Sequence, residues 1–129
     1  MRQWKKLGMA VVVGIGVLMS AGVFAQQAPI KVVPVWEAVG HHLQFGNDKA
    51  RVYDVILEPN VPSGIHLHEY DYVLIVLEGG TIRVTFPDGK SQDVEVKTGE
   101  WRYQKGGVVH ETMSVGPKRV RAIVVELTR

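Results

Sequence analysis

His66 and His68 stand one residue apart just ahead of a strongly apolar run, Tyr72-Val73-Leu74-Ile75-Val76-Leu77, in a chain of 129 residues with only 5 histidines. Side chains alternate along an extended strand, so positions i and i+2 share a face. The pair therefore offers two imidazoles to one metal ion. Tyr72, four residues beyond His68, is expected on that same face, with Glu69 and Asp71 pointing away unless a bulge re-aims one of them.

These side chains need strands to hold them. Short runs rich in valine, isoleucine and aromatic residues, broken by turn residues, are expected to form strands near 51–58, 65–69, 72–77, 81–86, 92–97, 101–104, 108–115 and 120–128. The clearest hairpin is 81–97, turned by Pro87-Asp88-Gly89-Lys90. No stretch of helical periodicity competes and there are no repeats, so the fold class is all-β, a sandwich or a barrel. The run 72–77 is apolar on both faces. One face can line a barrel interior, and the other, carrying Val73, Ile75 and Leu77, needs the N-terminal arm or a second subunit to cover it. A homodimer is the expectation.

A second segment, Gly99-Glu100-Trp101-Arg102-Tyr103-Gln104-Lys105-Gly106-Gly107-Val108-Val109-His110, runs on into Glu111-Thr112-Met113-Ser114. Together the two segments resemble the paired motifs of the cupin superfamily, G-x5-H-x-H-x3,4-E-x6-G and G-x5-P-x-G-x2-H-x3-N. His66, His68 and Gly79 match the first motif and Gly99, Gly107 and His110 the second, with every spacing kept. Asn60 stands in place of the first glycine, where asparagine is the next most tolerant residue of a positive φ. Lys105 replaces the proline, Ser114 the final asparagine, and Tyr72 the glutamate ligand. The chain is similar in particular to small single-domain bacterial cupins, some named for β-alanine degradation. The resemblance implies a double-stranded β-helix, a jelly-roll barrel, in which His66, His68 and His110 meet and hold one divalent transition metal ion.

Three neutral imidazoles suit zinc, copper, iron or nickel and leave positions open for water or substrate. Without a carboxylate ligand the site would keep the full charge of its ion, favouring anionic substrates or an acidified water. Tyr72 reads as a catalytic wall residue that donates a hydrogen bond, rather than as a ligand, because a phenol with a pKa of about 10 must ionise to coordinate well. The same histidines also fit a barrel lining that has lost its metal. His41-His42, beside Gly40, reads as an exposed loop or edge; Trp101 and Tyr103 read as core; Lys118-Arg119-Val120-Arg121 reads as a solvated turn too short for a polyanion.

Arg2, Lys5 and Lys6 precede an acid-free apolar stretch ending at Val23-Phe24-Ala25, the pattern of a secretory signal peptide over residues 1–25. An uncleaved membrane anchor is the alternative reading. An extended arm, 26–34, and a cupin domain, 35–129, are expected to follow. Cleavage removes 3 of 15 basic residues and none of 13 acidic ones, leaving 12 − 13 = −1, so the basic precursor gives no case for nucleic-acid binding. The expected location is periplasmic or secreted, with no stable membrane anchor after cleavage. There is no cysteine, so stability rests on the core, a metal or a partner chain rather than disulfides. No twin-arginine signal is present, so the chain is expected to load its metal outside the cytoplasm, where zinc or copper is favoured over iron and manganese. Two functions follow: a mononuclear metalloenzyme, oxygenase-like or Lewis-acid, acting on a small organic anion, or a non-catalytic binding module for a metal or small ligand.

Overall fold

The structure, a computed structural model, describes residues 27–129. The expected leader, residues 1–25, lies outside the described residues. The elements run β1 (Val33–Pro34), a 3-10 turn (Val35–Glu37), β2 (His41–Gly46), β3 (Ala50–Leu57), β4 (His66–His68), β5 (Asp71–Glu78), β6 (Gly80–Thr85), β7 (Ser91–Val96), β8 (Trp101–Gln104), β9 (Val108–Ser114) and β10 (Val120–Leu127). They form two five-stranded sheets, ordered β1-β4-β9-β6-β7 and β2-β3-β10-β5-β8. Only β1 and β4 pair parallel; the other strand pairs are antiparallel. This is an all-β double-stranded β-helix.

Alternation builds the interior. Tyr53, Val55 and Leu57 of β3 and Val120 and Val124 of β10 are buried, while the residues between them are partly exposed. Val35, from the 3-10 turn, completes the core from the end of the arm. On the outer side Arg121 meets Asp54 through two hydrogen bonds of 2.9 and 2.8 Å, and Arg119 meets Glu78 through two of 2.8 Å. The basic turn spends these two arginines on local ion pairs. The β6–β7 hairpin closes as its sequence dictates: Gly89 has φ +83° and the Asp88 carboxylate accepts from the Lys90 N–H at 2.9 Å. Asn60 also holds a positive φ, 60°.

Three expectations need correction. Tyr72 does face the interior, but not as a continuation of the His68 strand: the chain breaks at Glu69-Tyr70 and passes from β4 to β5 in the opposite sheet. Trp101 and Tyr103 are not core. They lie on the outer face, 69% and 47% exposed, because the phase of β8 turns Arg102 and Gln104 inward, opposite Leu74 and Tyr72. The third is β2, where His42 is exposed on an edge strand as expected but His41 is buried.

The arm ends as β1 against β4, on the other sheet, and so Ile75 and Leu77 each remain 40% exposed. Phe45, Val52, Val125, Val73 and Tyr103 fall in register across all five strands of that outer face. An apolar stripe thus crosses it.

Gly40 sets the entry to β2. Its φ is +81°, and a Cβ there would lie 2.2 Å from the Ile56 carbonyl oxygen. Gly40→Ala is expected to lower stability by about 2 kcal/mol or more, from left-handed strain plus the clash, measured by urea unfolding of metal-free protein.

Candidate metal centre

β4 and β9 pair with His66 directly opposite His110. Opposed residues share a sheet face, so His66, His68 and His110 all turn into the barrel. Their ring centroids lie 5.1 Å (His66–His68), 4.9 Å (His66–His110) and 5.2 Å (His68–His110) apart. The opposite sheet contributes a further imidazole. His41 begins β2 opposite the inward-facing Val55, is only 7% exposed, and lies 4.7 Å from His66 and 6.2 Å from His68. His41, His66 and His68 each present a ring nitrogen, and these nitrogens lie within 4.8 Å of one another. His110 stands beside that cluster.

The remote nitrogens show how the rings are held. His66 Nδ1 lies 2.9 Å from the Gly64 carbonyl and 3.3 Å from Ser63 Oγ. With its proton donated there, the lone pair is on Nε2, a buried atom with no hydrogen-bond partner in the chain. His41 Nδ1 reaches the Val39 carbonyl at 3.2 Å, which likewise leaves its lone pair on Nε2. His68 Nδ1 faces Glu126 Oε1 at 3.6 Å. Metal-ligating histidines direct their remote N–H to a carbonyl or carboxylate in this way. A buried nitrogen without a partner costs about 1–3 kcal/mol, and a bound ion would relieve it; the donor set fits a transition metal.

The electrostatics agree. Burial first, then the neighbouring His66 ring, holds the His41 imidazole down at about 3. Burial likewise holds His66 at about 4, and holds His110 at about 3 with His66, His68 and His41 adding to it. All three are neutral at neutral pH, the form in which an imidazole can bind a metal. Tyr72 is buried with its ring stacked on His68, centroids 4.2 Å apart and planes 23° apart. Burial, then Glu126, pushes its phenol up to about 12, so it remains protonated and can donate.

Asp71 points outward, accepting from the Gly106 N–H at 2.8 Å and from the Tyr103 hydroxyl. Glu126, which the sequence reading passed over, is inside: it sits on β10 opposite Tyr72, 1% exposed, and accepts from the Tyr53 hydroxyl at 3.1 Å. The signal was there, since Val120, Ala122, Val124 and Glu126 share one phase of the strand. His41 had a weaker signal, the glycine directly before it, since its inward phase comes from the pairing with β3.

An inner cavity of about 80 Å³ runs from His41, His68, Tyr72 and His110 into apolar walls such as Val76 and Val124. An adjoining lobe of about 230 Å³ shares Tyr72, His110 and Thr112 and adds Gln92, Arg102 and Gln104. The Arg102 guanidinium is held by Glu100 Oε1 at 2.6 Å and the Glu95 carbonyl at 3.1 Å.

The pH dependence follows in sign. In the unfolded chain each imidazole titrates near its ordinary value of about 6.5, whereas His41, His66 and His110 in the fold titrate at about 3 to 4. Between those limits the unfolded state binds more protons, so stability is lost as pH falls. The metal-free protein is expected to lose stability from about pH 6.5 downward, each imidazole contributing up to about 1.4 kcal/mol per pH unit, checked by urea unfolding at pH 7, 6, 5 and 4 after chelation.

No protein-family model matches the chain. The β-alanine degradation protein BauB of Pseudomonas aeruginosa is 26% identical over 85 residues, 66% of this chain and 88% of that one. Among solved structures, a cupin domain from Bordetella pertussis Tohama I superposes with a TM-score of 0.65 at 21% identity, over 78% of this chain and 100% of that one. The polyketide cyclase RemF of Streptomyces resistomycificus does so with 0.54 at 24% identity, over 75% and 70%. A protein with a double-stranded β-helix domain from Klebsiella pneumoniae gives 0.56 at 18% identity, over 68% and 75%. Matched in its sheet arrangement over the whole of a solved cupin domain, the chain has the cupin fold that its two histidine segments resemble.

Proposed function

We propose that this chain is an exported metal-binding cupin that acts as a mononuclear metalloenzyme, of oxygenase-like or Lewis-acid type, on a small organic anion. The observation that carries the reading is the cluster of buried nitrogens from His41, His66 and His68, drawn from two sheets and lying within 4.8 Å of one another. His110 is assigned as the further imidazole of the centre. A divalent ion there supplies Lewis acidity, polarising an oxygen of the substrate or lowering the pKa of a bound water. The chain does the rest. Its apolar inner walls exclude water, and the protonated Tyr72 hydroxyl donates to a substrate oxygen. An inner cavity of about 80 Å³ is well below the ~150 Å³ that holds a benzene, so the part of the substrate at the centre is a few atoms across. The name of the Pseudomonas relative, a β-alanine degradation protein, is compatible with a small carboxylate and is taken no further.

One observation favours the second reading, a binding module without turnover. Among the described residues lining the two lobes, no carboxylate is present to act as a general base, and Tyr72 titrates at about 12. Zinc or copper remains the favoured ion, by the intrinsic affinity of imidazoles. Elemental analysis of protein isolated after export is expected to give about one zinc or copper ion per chain. Alanine at His66, His68 or His110, and at His41, is expected to lower occupancy while the β-type circular dichroism persists. Unchanged stoichiometry in the quadruple variant would refute the centre, and predominant iron with substrate-dependent oxygen uptake would move the reading firmly to an oxygenase.

We also propose that the apolar outer face is covered by a second copy of the chain. Its support is the stripe from Phe45 to Tyr103, extended by Ile75 and the 69% exposed Trp101. Contiguous exposed apolar surface of this kind marks interaction sites. Light scattering at micromolar concentration is expected to give a dimer, and Ile75→Lys with Trp101→Glu a monomer; a monomeric wild type would overturn the proposal.

A further inference from the structure

We propose that Glu126 is a positioning residue of the metal centre, taking the Nδ1–H of His68 and lending carboxylate charge to a site whose ligands are all neutral imidazoles. The proposal rests on the metal-binding reading above. Position 72, where the resembled motif carries its glutamate, holds a tyrosine here, and Glu126 stands directly across the strand pair from it. The missing carboxylate has a neighbour.

The two faces of this carboxylate differ. Oε2 accepts from the Tyr53 hydroxyl at 3.1 Å, deep in the core. Oε1 has no hydrogen-bond partner, and neither has His68 Nδ1; the two orphans are buried and face each other at 3.6 Å. A carboxylate 1% exposed with one hydrogen bond is a costly thing to bury. Its register neighbour on the other side, Arg51, makes no ion pair with it among the described residues: the guanidinium lies over Trp36 at 5.0 Å and Tyr70 at 5.5 Å, its Nη1 is buried without a partner, and its charge acts on the Tyr53 hydroxyl beside Oε2. On the unpaired Oε1 side, compensation would come from positive charge on the far side of the His68 ring. An ion on His68 Nε2 makes its Nδ1–H a stronger donor, and the carboxylate in turn fixes the ring and strengthens its donation. At 3.6 Å the pair is longer than a hydrogen bond, and a bound ion would strengthen the attraction across it.

The test is Glu126→Gln, which keeps the shape and removes the charge. Zinc affinity, by competition with a chromophoric chelator, is expected to fall about 10- to 100-fold, while the melting temperature of the metal-free variant is unchanged or higher, because a buried charge has been removed. Unchanged affinity with a lowered metal-free melting temperature would make Glu126 a purely structural partner of Tyr53 and overturn the proposal. A second measurement follows individual protons: in cobalt-loaded protein the hyperfine-shifted Nδ1 proton of His68 is expected to move in Glu126→Gln while those of His41 and His66 stay. A His68 proton that does not move also overturns it. Wild type that binds neither zinc nor cobalt refutes the metal reading and this proposal together; wild type that binds beside an unaffected variant refutes this proposal alone.

Discussion

The site depends on keeping several imidazoles neutral and close together where water does not reach. Like groups do not gather in a barrel without help, since each buried N–H must find an acceptor. Here the backbone provides two, the carbonyls of Val39 and Gly64, and both belong to turns immediately before the strands that carry the histidines. The rest follows from strand register. The pairing of β4 with β9 sets His66 against His110, and the pairing of β2 with β3 brings His41 over from the facing sheet. A shift of one residue in either ladder would turn its histidines to the other face, so the apolar alternation that holds register also holds the chemistry.

Local spacing was enough to locate part of this. His66 and His68 are fixed relative to each other by two residues of strand, and all eight strands expected from alternation are present, with no end displaced by more than one residue. What was not legible depended on long-range pairing. His41 sits in a short, polar-looking segment, His41-His42-Leu43-Gln44-Phe45-Gly46, whose strand character comes from β3 beside it rather than from its own composition. Trp101 and Tyr103 fall outside the core for another reason. Large apolar side chains are favoured inside but are not confined there, and in a strand of four residues the inward phase is decided by the partner strand. Tyr72 faces inward although the strand assumed to carry it from His68 is interrupted. Glu126 shares the inward phase of Val120 and Val124, but an acid in a late strand resembles a solvent-facing residue until its neighbours' burial is known.

Fold and chemistry are only loosely tied. The structural neighbours share a barrel at identities of 18 to 24%, and a shared barrel fixes neither substrate nor reaction. The features of this chain that bear on chemistry are local: a tyrosine where the resembled motif carries a carboxylate, a buried glutamate behind a histidine, and an inner cavity with an aliphatic far wall.

His41 and the pair His66 and His68 come from opposite sheets. A single ion shared among them would therefore be a cross-link between layers, in a chain that has no cysteine with which to make one. A ligand that binds only the folded state adds about 2.7 kcal/mol at a concentration one hundred times its dissociation constant. Loaded barrels would consequently separate their sheets less often and outlast empty ones under proteolysis, so the age distribution of the molecules becomes a register of which of them acquired an ion.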